Sequence, residues 1–116
     1  MANHQHLPIY KVAYDLFNLV TNLVSNMHRN FKPSIGNEIN RECLRIVVLI
    51  ARANAARDKA PYLNELIERL QVVEFLSRIV CDKKLISKPQ YASVIELTNS
   101  VGRQAGGWRR SASPAS

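Results

Sequence analysis

Apolar residues recur three and four positions apart along almost the whole chain, and only short polar breaks interrupt the pattern. That spacing gathers them into one stripe per helix, and each stripe must be buried against another. The first helix is predicted over about 8–29. Ile9, Val12, Ala13, Leu16, Leu19, Val20, Leu23, Val24 and Met27 keep helical spacing there, and Pro8 fits the first turn, where a missing N–H is harmless. The segment 30–33 breaks it. A second helix is expected over about 34–59, with Ser34 as N-cap and Ile35, Ile39, Cys43, Ile46, Val47, Ile50 and Asn54 facing inward. After a break at 58–61, a third runs over about 62–83 on Leu63, Leu66, Leu70, Val73, Ser77 and Val80. The last starts at Ser87, its expected N-cap, or Lys88 and reaches Trp108, with Tyr91, Val94, Ile95, Thr98, Val101, Gly102 and Ala105 inside. Helices of about 20–25 residues joined by short linkers run antiparallel to their neighbours. The expected fold is all-α: an up-down-up-down four-helix bundle over 8–110, a flexible arm over 1–7 and a disordered tail over 111–116.

The outward faces are less polar than those of a solitary bundle. Leu44, Val48, Ala51 and Ala55 point away from the inner stripe of the second helix. Val72, Phe75, Leu76 and Ile79 form another stripe on the third, and Tyr10, Tyr14 and Phe17 line a flank of the first. These positions predict self-association, with Leu44, Val48, Phe75, Ile79 and Trp108 as interface residues. Gly102 and Gly106, four apart, are expected to let another helix approach closely.

Charge narrows the partner. The 116-residue chain carries a formal net charge of +7, and the surplus sits in residues 32–60 and 87–116. Such a balance suits a polyanion. Arg41, Arg45, Arg52 and Lys59 are spaced four, seven and seven apart, which sets them on one face of the second helix, opposite its core stripe. Arginine forks in a row suit phosphates and need not read bases; local ion pairs with Glu38 or Glu42 are the plainer reading. Arg103, Arg109 and Arg110 gather near the C-terminus, where cations also complement the helix dipole.

No chemistry is encoded by motif. There is no GxGxxG, P-loop or HExxH, and Glu38, Glu42, Glu65, Glu68 and Glu74 fall mainly on faces expected to be exposed, without Glu-x-x-His pairs. His4 and His6 lack further metal ligands, and His28 fits a cap. Cys43 and Cys81 sit inside apolar runs and read as reduced core thiols, as in a cytoplasmic protein. Neither a signal peptide nor the roughly 20 apolar residues of a membrane span is present. The expectation is a binding protein and not an enzyme, without cofactor or metal and away from membranes.

Three segments carry a resemblance. They are Leu70-Gln71-Val72-Val73-Glu74-Phe75-Leu76-Ser77-Arg78, Lys84-Leu85-Ile86-Ser87-Lys88-Pro89-Gln90-Tyr91, and Val101-Gly102-Arg103-Gln104-Ala105-Gly106-Gly107-Trp108-Arg109-Arg110-Ser111. Over roughly 7–111 the chain resembles the accessory variability determinant (Avd) family of diversity-generating retroelements, and the closing G-x-x-x-G-G-W before basic residues and Ser is the most specific part. Ser34-Ile35-Gly36-Asn37-Glu38-Ile39 is similar to the start of that family's second helix. The resemblance implies four-helix bundles that assemble as barrel-shaped homopentamers. They bind the retroelement's reverse transcriptase and its template RNA or cDNA, and they support mutagenic cDNA synthesis, chiefly at template adenines, without polymerase chemistry of their own. Glu74 and Phe75 replace a more basic family stretch, which moves the expected nucleic-acid contacts to the second helix and the C-terminus. The alternatives are a four-helix protein of the ribosomal-RNA intervening-sequence type, which shares the fold, and a structural oligomer with an incidental basic face.

Overall fold

The computed structural model describes residues 3–112. Four α-helices fill nearly all of them, α1 Pro8–Ser25, α2 Asn37–Ala55, α3 Ala60–Asp82 and α4 Lys88–Ala112, and no strand occurs among the described residues. Each helix packs on its chain neighbours, and α1 meets α4 to close the ring, in a rod of 49 × 22 × 20 Å. The ring follows from the spacing of the buried side chains. Leu63, Leu66, Leu70, Val73, Ser77 and Val80 of α3 alternate steps of three and four, and so do Ile39, Cys43, Ile46, Ile50 and Ala53 of α2. Val94, Thr98, Val101 and Ala105 do the same on α4, and Ile9, Ala13, Leu16, Val20 and Val24 complete the core from α1. A repeat of this kind keeps one seam facing the neighbours in near-parallel packing. Several expected inner residues, Val12, Leu19, Leu23, Ile35, Val47 and Tyr91, are half-buried and flank the core. On α2, Ala53 and not Asn54 takes the last buried place.

The helix ends differ from the sequence expectation, and polar side chains explain it. α1 stops at Ser25 and not near residue 29: Ser25 Oγ and Asn26 Nδ2 both donate to the Asn22 carbonyl and share it with the Asn26 N–H, whose bond is long at 3.3 Å. Ser34 does not cap α2. It lies inside a π-helical turn, Lys32–Gly36, and its hydroxyl donates to the Phe31 carbonyl, as does the Gly36 N–H at 3.0 Å. Gly36 is the tight point of the bundle, since a Cβ there would stand 3.1 Å from Val24 Cγ1 and 3.3 Å from both Met27 Sδ and the Phe31 carbonyl oxygen. The closeness expected at Gly102 and Gly106 is absent. Gly102 would meet only Leu70 Cδ1, at 3.8 Å, and Gly106 faces Arg110 of its own helix.

Ser87 does cap α4. Its Oγ accepts from the Gln90 N–H, and Gln90 Oε1 accepts from the Ser87 N–H, a reciprocal pair that satisfies two free donors. α3 ends in a left-handed residue, Lys84 at φ 61°, with Leu85 N–H bonded to Val80 O and Lys84 N–H to Cys81 O. Residues 4–6 form a 3-10 turn behind Asn3, and α4 runs past Ser111, so the helix outlasts the bundle boundary expected at residue 110. Met1, Ala2 and 113–116, the rest of the expected arm and tail, lie outside the described residues.

Candidate functional site

The α2 face expected to be basic is also apolar. Arg41, Arg45 and Arg52 share an open groove of about 450 Å³ with Leu44, Val48 and Leu49, closed on the α3 side by Glu65 and Arg69. Leu44 and Val48 are among the four large hydrophobic residues left exposed among the described residues, at 48% and 41%. Thus the arginine row and the outer apolar stripe, treated separately in the sequence, are one surface.

Beneath the groove lies an ion-pair network. Glu42, expected on an exposed face, is buried at 2%. It stands next to Cys43 in the inner stripe, so its side chain turns toward α3, where Arg69 Nη1 donates to its Oε1 at 2.7 Å. Arg45 Nη1 reaches the other carboxylate oxygen at 3.4 Å. Arg69 Nε is 3.2 Å from Glu65 Oε1 but lacks hydrogen-bond alignment, and Glu68 is 3.8 Å from Nη2. A carboxylate this buried needs its cation, so the pair fixes the α2–α3 register. Arg41 is bound to Glu38 at 2.8 Å. No ion pair or hydrogen bond holds Arg52 among the described residues, and it points its charge into the groove.

Lys59 is not part of the row. α2 has ended by then, and Lys59 Nζ donates to the carbonyls of Ala53, Asn54 and Ala56, which closes the C-terminus of α2. The same ammonium stands 6.0 Å from the Trp108 ring centroid. Trp108 is half-buried beside Leu7, Pro8, Ile9 and Gln104. Arg109 Nη1 donates to Asn64 Oδ1 at 2.8 Å. These contacts gather the start of α3 and the ends of α2 and α4 at one end of the rod, where Arg57, Arg109 and Arg110 lie, with Arg52 a turn away. Arg103 stands apart in the α3–α4 groove near Glu74, whose Oε2 accepts from Thr98 Oγ1 at 2.8 Å.

The sequence reading missed two parts of this surface. Arg57 lies in the linker and takes its place only when the bundle brings the ends together. Arg69 sits three residues past the core position Leu66, a flanking place from which long side chains cross to the next helix; that spacing was the available signal. Phe75 and Ile79 stand on the outward side of α3, Phe75 at 67% exposure and Ile79 half-buried, while Leu76 packs on the core. Cys43 and Cys81 are free thiols, the first fully buried and the second half-buried. No group of three His, Cys, Asp or Glu able to hold a metal ion occurs among the described residues. No helix among them is long and apolar enough to cross a membrane.

Compared with known families, the sequence is matched by a family model described as bAvd-like, over residues 7–112. No curated protein matches it.

Proposed function

Because this chain belongs to the bAvd-like family, an accessory and non-catalytic kind, we propose that it is a cytoplasmic accessory subunit of a diversity-generating retroelement. It self-associates as a ring, the resemblance giving five copies, and binds the retroelement's reverse transcriptase and template RNA in support of mutagenic cDNA synthesis. The observation that carries this reading is the match over nearly the whole bundle, joined to a formal net charge of +7. Phosphate contacts suit the end of the rod where Arg57, Arg109 and Arg110 lie, because no exposed large apolar side chain occurs there among the described residues, and Arg103 stands apart from them in the α3–α4 groove. The α2 row of Arg41, Arg45 and Arg52, interleaved with Leu44 and Val48, suits a protein face better, since a sugar-phosphate backbone offers exposed leucine and valine little apolar cover.

The test is co-purification of the tagged chain with a retroelement reverse transcriptase and its template-repeat RNA, followed by sequencing of the retained RNA. Retention of both is expected. A folded chain that retains neither overturns the proposal, and retention of ribosomal RNA alone moves it to the intervening-sequence type. Light scattering at micromolar concentration is expected to give five copies; a monomer mass removes the assembly, and a dimer or tetramer removes only the number.

A further inference from the structure

Three of the four large apolar side chains left exposed among the described residues, Tyr14, Leu44 and Val48, belong to one face shared by α1 and α2. Trp108 stands beside both the start of α1 and Lys59, which follows the end of α2, so the two helices run antiparallel. The bond from Thr21 Oγ1 to Asn40 Oδ1, 2.9 Å, fixes their heights. Counting back along α1 and forward along α2 from it sets Phe17 level with Leu44 and Tyr14 level with Val47 and Val48. Tyr14 is held there by its neighbours, with ring centroids 6.0 Å from Tyr10 and 6.4 Å from Phe17. Toward α3 the same face turns cationic. On α2, Asn40 reaches α1 and Glu42 reaches α3. At about 100° per residue, Leu44 leans toward α1, Val48 points outward, and Arg41, Arg52 and Arg45 follow in turn toward α3. An apolar strip and a basic strip therefore run side by side along the rod.

The basic strip is short of carboxylate. Glu42 already holds Arg69 at 2.7 Å, which leaves Arg45 a contact of 3.4 Å and a side chain 58% exposed. Arg41 has Glu38, and Arg52 has neither ion pair nor hydrogen bond among the described residues. A second copy of the chain has little to offer them. Six of its nine acids stand within ion-pair distance of a cation of their own chain, and Asp58 and Glu74 accept hydrogen bonds there. We infer that this face docks an amphipathic helix of another protein, whose apolar stripe covers Tyr14, Leu44 and Val48 and whose flank of Asp or Glu meets Arg52 and Arg45. This rests on the reading of the α2 row as a protein face and names its occupant. Arg45 and Arg52 are seven residues apart, roughly 10 Å along the helix, so carboxylates seven apart on the docked helix meet both in register. A helix suits the two strips because apolar side chains at steps of three and four form one stripe while acids seven apart stay on one flank of it. The apolar contact also keeps water from the ion pairs beside it and strengthens them. A nucleic-acid strand brings the charge but no such cover.

A synthetic peptide supplies the probe: about 18 residues, helix-forming, with Leu along one stripe and Glu at seven-residue spacing on its flank. A counterpart with Gln in place of Glu keeps the stripe and removes the charge. Fluorescence anisotropy is expected to show the Glu peptide bound at least about tenfold more tightly than the Gln peptide. Arg45→Ala with Arg52→Ala is expected to erase that advantage, since Glu42 keeps Arg69 and the fold survives. Leu44→Ser with Val48→Ser is expected to weaken both peptides. Helical circular dichroism and sedimentation of both variants are expected to match the wild-type chain. No binding, or equal binding of the two peptides, overturns the inference. A variant with altered sedimentation assigns the face to contacts between copies and overturns it too. So does a short single-stranded RNA that displaces the Glu peptide and loses affinity for the arginine variant, which assigns the face to nucleic acid. Reverse transcriptase retained by the arginine variant at the wild-type level overturns the docking face and spares the proposed function. A wild-type chain that binds the Glu peptide but retains no reverse transcriptase defeats the proposed function and not the docking face, so the two failures are told apart.

Discussion

At the residue scale, environment decides what a side chain means. Gly36 and Gly102 are both helical glycines, yet only Gly36 faces backbone at close range, the Phe31 carbonyl oxygen, which cannot move aside as a flexible side chain does. Gly36→Ala is therefore expected to destabilise by about 1–3 kcal/mol through overpacking. Gly102→Ala, with ordinary contact to Leu70, is expected to stabilise by up to about 1 kcal/mol through helix propensity; urea denaturation of both variants checks the contrast. Cys43 gives a pH signature. Burial, and then the charge of Glu42, pushes its thiol up to about 12 from an ordinary 9.0. Between these values the folded chain keeps a proton that the unfolded chain loses, so stability is full below about 9 and declines as pH rises toward 12. The wild-type chain should lose up to about 1.4 kcal/mol per pH unit more than Cys43→Ala over that range, and equal slopes would mean that the thiol is not so shielded.

At the element scale, the helix ends are set by local chemistry that pattern reading caught in part. The Ser87–Gln90 capping pair is a sequence signature, and it starts α4 as expected. The end of α3 gave no such sign, because the left-handed position carries a lysine and not a glycine. That conformation presses Cβ toward the following carbonyl, so Lys84→Gly should stabilise the bundle by roughly 1 kcal/mol, seen as a higher denaturation midpoint. A lower midpoint would show that the Lys84 side chain makes compensating contacts. Lys59 teaches the converse. By spacing it continues the arginine row, but three carbonyls at the end of α2 hold its ammonium instead of solvent.

At the scale of the whole molecule, the rod separates two kinds of surface. Its sides carry exposed apolar residues beside charge, which suit protein contacts; one end carries arginines without exposed large apolar residues among the described residues, which suits phosphate. If Arg103, Arg109 and Arg110 bind RNA, changing all three to Ala should weaken binding to unrelated single-stranded RNAs alike. The salt dependence should flatten by about 0.7 for each phosphate no longer neutralised. Filter binding at several salt concentrations measures it. An unchanged slope removes these residues from the interface. Arg109 also bonds Asn64, so the variant's helicity is compared first.

The sequence alone determined the four helices, nearly all of the core positions and the family, because helical periodicity and the closing G-G-W segment are local in the chain and survive without knowledge of the fold. It placed Arg41, Arg45 and Arg52 on one outward face for the same reason. Only the tertiary structure decided that Glu42 is buried on Arg69, that Lys59 and Trp108 serve their own chain, and that the arginines share a groove with Leu44 and Val48. Each of these depends on which helix lies alongside and at what height. A side chain beside the core stripe has the same spacing whether it meets solvent or a neighbour, and the difference is created when the helices pack.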